Sequence, residues 1–172
     1  MANIEKLTLL YHQLRDLVED REFDWGTFFT SDERNREVLG LPADAEMPRV
    51  LRKLIESEKE TRMQCDTTAC IAGWAVAFFP GELAWNRPRV VTVELNKEKG
   101  VPYQDEGAMA HVFDLTDTQA YGLCYGFNSV IIREDENSES KDVALRYLRD
   151  KIIEWGGPDP DSVPTSYALN QG

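Results

Sequence analysis

Cys65-Asp66-Thr67-Thr68-Ala69-Cys70-Ile71-Ala72-Gly73-Trp74-Ala75-Val76-Ala77-Phe78-Phe79 is the stretch that decides the fold. From Ala69 to Phe79 every side chain is apolar, the indole N–H of Trp74 excepted. A helix that is apolar around its whole circumference is buried on all sides. The pattern therefore predicts the central packing helix over residues 69–79. Asp66, Thr67 and Thr68 carry oxygens suited to the free amides of a helix start, and Pro80-Gly81 stops the other end. Ala69, Gly73 and Ala77 lie four apart, which leaves one uniformly small face where another helix backbone can approach.

Outward from this segment the periodicity is mostly helical. Leu7, Leu10, Tyr11, Leu14, Leu17 and Val18 form one stripe, with His12 on the opposite, polar face. Pro48 suits the first turn of a helix running to about Glu60. Residues 106–113 and 116–125 read as a helix pair, the second opened by the capping pattern Thr116-Asp117-Thr118-Gln119. A last helix carries Val143, Leu145, Leu148, Ile152 and Trp155 and stops at Gly156-Gly157-Pro158. Alternation appears only at Arg89 to Leu95, a short strand or hairpin arm turning near 97–100. The expected fold is mainly α, one compact helical domain over 1–157 with that single β segment near 89–95. Residues 158–172 are expected to form a flexible or surface-laid tail.

The balance of 31 acidic against 19 basic residues gives a net charge of -12, which repels phosphate backbones and argues against direct nucleic-acid binding. No apolar run approaches the ~20 residues that span a bilayer, and no signal peptide is visible at the start. The chain reads as cytoplasmic, its three cysteines as free thiols.

Three short motifs carry a resemblance. Cys65-x-Thr67-x-x-Cys70-x-x-Gly73-Trp74-Ala75 resembles a Cys-Gly-Thr-x-x-Cys-x-x-Gly-[His/Trp] motif before an apolar helix in uncharacterised bacterial and bacteriophage proteins. Those proteins also carry a segment similar to Phe23-Asp24 to Phe28, and one similar to Leu115-Thr116-Asp117-Thr118-Gln119-Ala120. Asp66 stands where the family usually has glycine. The resemblance implies a phage or bacterial accessory protein, located in the host cytoplasm if phage-encoded, and supplies no mechanism.

Four chemistries compete. Cys65, Cys70, His111 and Cys124 offer soft ligands for a zinc site, although Cys65 and Cys70 are spaced more widely than the usual C-x₂-C pair. Cys70 in the first turn of a helix, with His111 as base, is the nucleophile alternative. No phosphate-cradling or zinc-protease motif is present. The acidic run Glu134, Asp135, Glu136 and Glu139 suits solubility, or imitation of nucleic-acid phosphates as a DNA-mimic inhibitor. The aromatic cluster Phe23, Trp25 and Phe28 is either a core plug or a partner surface. The expectation drawn from these is a non-catalytic accessory protein, without cofactor, that binds and inhibits a host or defence protein. Its partner surface would comprise Phe23, Trp25, Phe28, Glu134, Asp135, Glu136 and Glu139. A small cysteine- or zinc-dependent enzyme is the alternative from another class.

Overall fold

The computed structural model describes residues 1–26, 28–31, 33–65, 67–126 and 140–165. In chain order its elements are α1 (Ile4–Leu17), β1 (Phe29–Ser31), α2 (Glu33–Val38), α3 (Met47–Glu56), α4 (Lys59–Met63), β2 (Thr67–Ala69) and α5 (Ile71–Phe78). There follow β3 (Leu83–Asn86), β4 (Arg89–Leu95), β5 (Pro102–Gln104), α6 (Glu106–Phe113), α7 (Asp117–Tyr125) and α8 (Lys141–Glu154), with 3-10 turns at Asp20–Glu22 and Pro160–Ser162. The described residues thus hold eight α-helices and two small antiparallel sheets. Helix dominates, but one β excursion is too few.

The amphipathic stripes place the outer helices. Leu7, Leu10, Tyr11 and Leu14 bury one face of α1, while Val143, Ala144, Leu148 and Ile152 bury one face of α8. These two helices lie together, and Lys141 Nζ donates to the carbonyls of Arg15 and Val18, which lack helical partners at the end of α1. Thr116 accepts from the Gln119 amide and the Gln119 side chain accepts from the Thr116 amide, so the expected capping box opens α7. Pro48 sits in the first turn of α3, which ends at Glu56 with α4 as a separate turn, rather than running to Glu60.

The central segment differs from its sequence reading at one end. Ile71 to Ala77 are all buried, as an all-apolar helix requires. Thr67 to Ala69, however, form β2 instead of a helix start, and Cys70 takes the N-cap position of α5. The reason is long-range. β1 pairs antiparallel with β2, Phe29 opposite Ala69 and Ser31 opposite Thr67. The Thr67 hydroxyl lies 2.9 Å from that of Ser31, and Asn35 Nδ2 donates to both. β-branched threonines fit this pleated position. Phe23 adds a parallel bridge to Ala69 on the far side.

Gly73 is where the small face matters. A Cβ there would lie 2.2 Å from the Phe28 carbonyl oxygen and 2.9 Å from the Ala69 Cβ. The close neighbour is therefore the chain entering β1, not another helix.

The second sheet is a meander, β3-β4-β5, with Leu83 opposite Thr92 and Asn86 opposite Arg89. The expected turn lies between β4 and β5, where Asn96 accepts from the Gly100 amide and Gly100 has φ +67°. One hydrophobic core links α1, α3, α5, α6, α7 and α8. Among the described residues no helix is long and apolar enough to cross a membrane.

The described part of the tail, 158–165, lies against α1 and α8. Pro160 is buried and its carbonyl accepts from His12 Nε2 at 2.7 Å. Arg149 grips Asp159 through both oxygens, and Tyr11 donates to Asp161 at 2.9 Å. His12 is consequently buried at 1 % exposure, which corrects its placement on a polar face. The strap that covers it is invisible to helical periodicity.

Candidate functional site

The three motif regions meet in one packing unit. The Asp24 amide donates to the Ala69 carbonyl at 3.1 Å, and the Trp74 indole donates to the Glu22 carbonyl at 3.0 Å. The Trp25 indole reaches α7, donating to the Leu123 carbonyl at 2.8 Å, while Ala120 of the third motif is fully buried. Both indoles thus bury their rings with the N–H satisfied. Phe23 and Trp25 are core residues, so neither ring offers a partner surface, a correction to that half of the expectation. Phe28 is half-buried, its ring 6.2 Å from that of Trp85. Glu134, Asp135, Glu136 and Glu139 lie outside the described residues.

The cysteines are all free and buried. At the N-cap of α5 the helix dipole favours a Cys70 thiolate, but burial wins and pushes the thiol up to about 11. Burial raises the Cys124 and Cys65 thiols as well. Cys70 and Cys124 are near enough for a charge on one to disfavour a charge on the other, whereas Cys65 has Glu22 and Arg21 for charged neighbours. His111 is elsewhere, stacked on Tyr103 at 4.2 Å with Nε2 3.1 Å from Glu94. Cys65, Cys70, His111 and Cys124 therefore do not assemble, and no group of three or more His, Cys, Asp or Glu among the described residues is placed to hold a metal ion. The Cys70–His111 pairing of a nucleophile with its base finds no support in these positions.

Two accessible features were not legible as sites. The β4–β5 arm exposes Val93, Leu95 and Val101, each about half accessible at 55 %, 52 % and 51 %. The pairing of β4 with β5 is irregular between Val91 and Leu95, and the strand turns from buried to exposed there, so simple alternation does not announce the exposed end. The second feature is a half-enclosed recess of about 690 Å³ between β1, the segment joining α2 to α3, and the β3–β4 turn. Phe29 and Trp85, in edge contact at 4.5 Å, line it together with Arg36, Arg87, Asp44 and Glu46. Its residues come from three separated segments, so no local motif announces it.

Comparison with known proteins finds no matching family model, no similar curated protein and no similar solved structure.

Proposed function

We propose that the chain is a non-catalytic, phage-type accessory protein that acts by binding another protein and blocking it. The observation that carries this reading is the β4–β5 arm, on which Val93, Leu95 and Val101 are each about half accessible. Large apolar side chains left in water favour association. The thiols add support from the opposite direction, since burial holds Cys70 in the unreactive protonated form. With a net charge of -12, the favoured partner is a basic protein, steered in by the long-range field.

The test is affinity capture from host lysate, followed by titration of the purified partner against wild-type protein and a Val93→Lys/Leu95→Glu variant. A saturable complex that the variant weakens at least tenfold, about 1.4 kcal/mol, is the expected result. Equal binding by the variant removes the arm from the interface. A lysate that yields no saturable partner removes the protein-binding reading itself.

A further inference from the structure

Several arginines in this acidic chain hold a carboxylate. Arg15 pairs with Asp161, Arg62 with Glu22, Arg89 with Asp105 and Arg149 with Asp159. Arg36 and Arg87 have no such partner among the described residues, and both line the recess beside β1. Arg36 is half-buried, and its guanidinium is fixed by neutral groups. Nε donates to the Ala45 carbonyl at 2.8 Å and Nη2 to the Met47 sulfur at 3.6 Å. A guanidinium oriented by neutral acceptors, with no ion pair to a carboxylate among the described residues, keeps N–H donors for an incoming anion. Phe29 and Trp85, edge to face, supply an apolar corner in the same cavity, whose volume of about 690 Å³ suits a small molecule. Asp44 and Glu46 line it too, so a simple anion meets carboxylates as well as guanidiniums there.

We propose that this recess binds a small zwitterion with an aromatic body, the chemistry of an aromatic α-amino acid. The ligand carboxylate pairs with Arg36 and Arg87. Its ammonium meets Asp44 or Glu46, and its ring packs on Trp85 and Phe29. All three recognition elements are needed, because the mixed charge of the lining gives neither sign of ion an advantage alone. The proposal goes beyond protein binding and does not depend on it.

The probe is L-phenylalanine, titrated into the intact protein while amide, indole and guanidinium resonances are followed by NMR. Saturable shifts centred on Phe29, Trp85 and Arg87 are expected. 3-Phenylpropionate, which lacks the ammonium, and phenethylamine, which lacks the carboxylate, should each bind about tenfold more weakly or worse. Arg87→Ala, an exposed position, should cost a similar factor. Arg36→Lys, which keeps the charge and loses the fork, should weaken binding as well. Absence of saturable shifts at ligand concentrations of about 10 mM overturns the site. Equal binding of either half-ligand overturns the zwitterion, and unchanged affinity in Arg87→Ala overturns the recognition scheme. Should Arg36→Lys fail to fold, the Arg87→Ala comparison decides alone.

Discussion

The Arg62 guanidinium holds the Glu22 carboxylate at both oxygens, 2.8 Å from Nε to Oε2 and 2.5 Å from Nη2 to Oε1. Glu22 is fully buried, and Oε1 also accepts from the Glu19 amide at 2.8 Å. Arg62 additionally donates to the Leu17 carbonyl. One ion pair therefore ties the end of α1 and the 3-10 turn to α4, just before Cys65. Because the Glu22 carbonyl also receives the Trp74 indole, the pair helps fix the entrance of the central helix.

Removing one partner leaves a charge stranded in the core. Arg62→Ala should lower the unfolding free energy by about 3–5 kcal/mol, measured by urea titration. A Glu22→Leu/Arg62→Met double variant should recover much of that loss, since an apolar pair of similar size avoids the desolvation cost. A near-neutral Arg62→Ala would show that water reaches Glu22 and the pair is not buried.

Gly73 and Gly107 should respond oppositely to alanine. At Gly73 the new Cβ meets the Phe28 carbonyl at 2.2 Å, and backbone must move to admit it. Gly73→Ala is expected to cost about 1–3 kcal/mol by overpacking. At Gly107, within α6, nothing lies within 4 Å, so Gly107→Ala should stabilise by about 0.5–1 kcal/mol through reduced backbone entropy of the unfolded chain. Chemical denaturation of the two variants side by side checks both signs.

The tail strap should loosen in acid. The hydrogen bond from Arg149 holds the Asp159 carboxyl down at about 2, below its ordinary 3.8. A depressed carboxyl contributes its stabilisation above the unfolded value and loses it as pH falls through the folded one. Docking of 158–165 is thus expected to persist from pH 7 to about 4 and to weaken between about 4 and 2. Amide exchange at Ser162 and Val163, whose N–H groups bond to Asp159 and Pro160 carbonyls, reports it. Asp159→Asn should exchange faster at pH 7 and lose that pH dependence. An unchanged exchange profile in this variant would show that the Arg149 contact does not hold the strap.

Much of the helical frame is legible because its signals are local. The stripe of α1, the Thr116 capping box, the span of α6 and the glycine stop after α8 all sit within a few residues of what they determine. β2 is not legible, since Asp66-Thr67-Thr68 offers helix-capping oxygens and a strand partner with equal ease. What decides between them is Ser31, 36 residues upstream. β3 is missed for a related reason: Leu83 to Asn86 is too short to show alternation and is ordered by pairing with β4. The candidate surfaces follow the same logic. Trp25 looks available in sequence and is buried because α7 presents the Leu123 carbonyl to it. The recess needs Arg36, Trp85 and Arg87 from distant segments, and the arm was readable only as a strand, not as an exposed one.

In the function proposed above, the Cys70 thiol is a packing group and not a reactive one, which leaves binding to the outer surface. Native-state thiol labelling at pH 8, resolved by mass spectrometry at Cys65, Cys70 and Cys124, tests it most directly. Protection of Cys70 and Cys124 until denaturant unfolds the chain is the expected result, given burial at 2 % and 3 % exposure and the raised thiols. Rapid stoichiometric modification of Cys70 in the folded protein would contradict it and return the motif to candidacy as an active site.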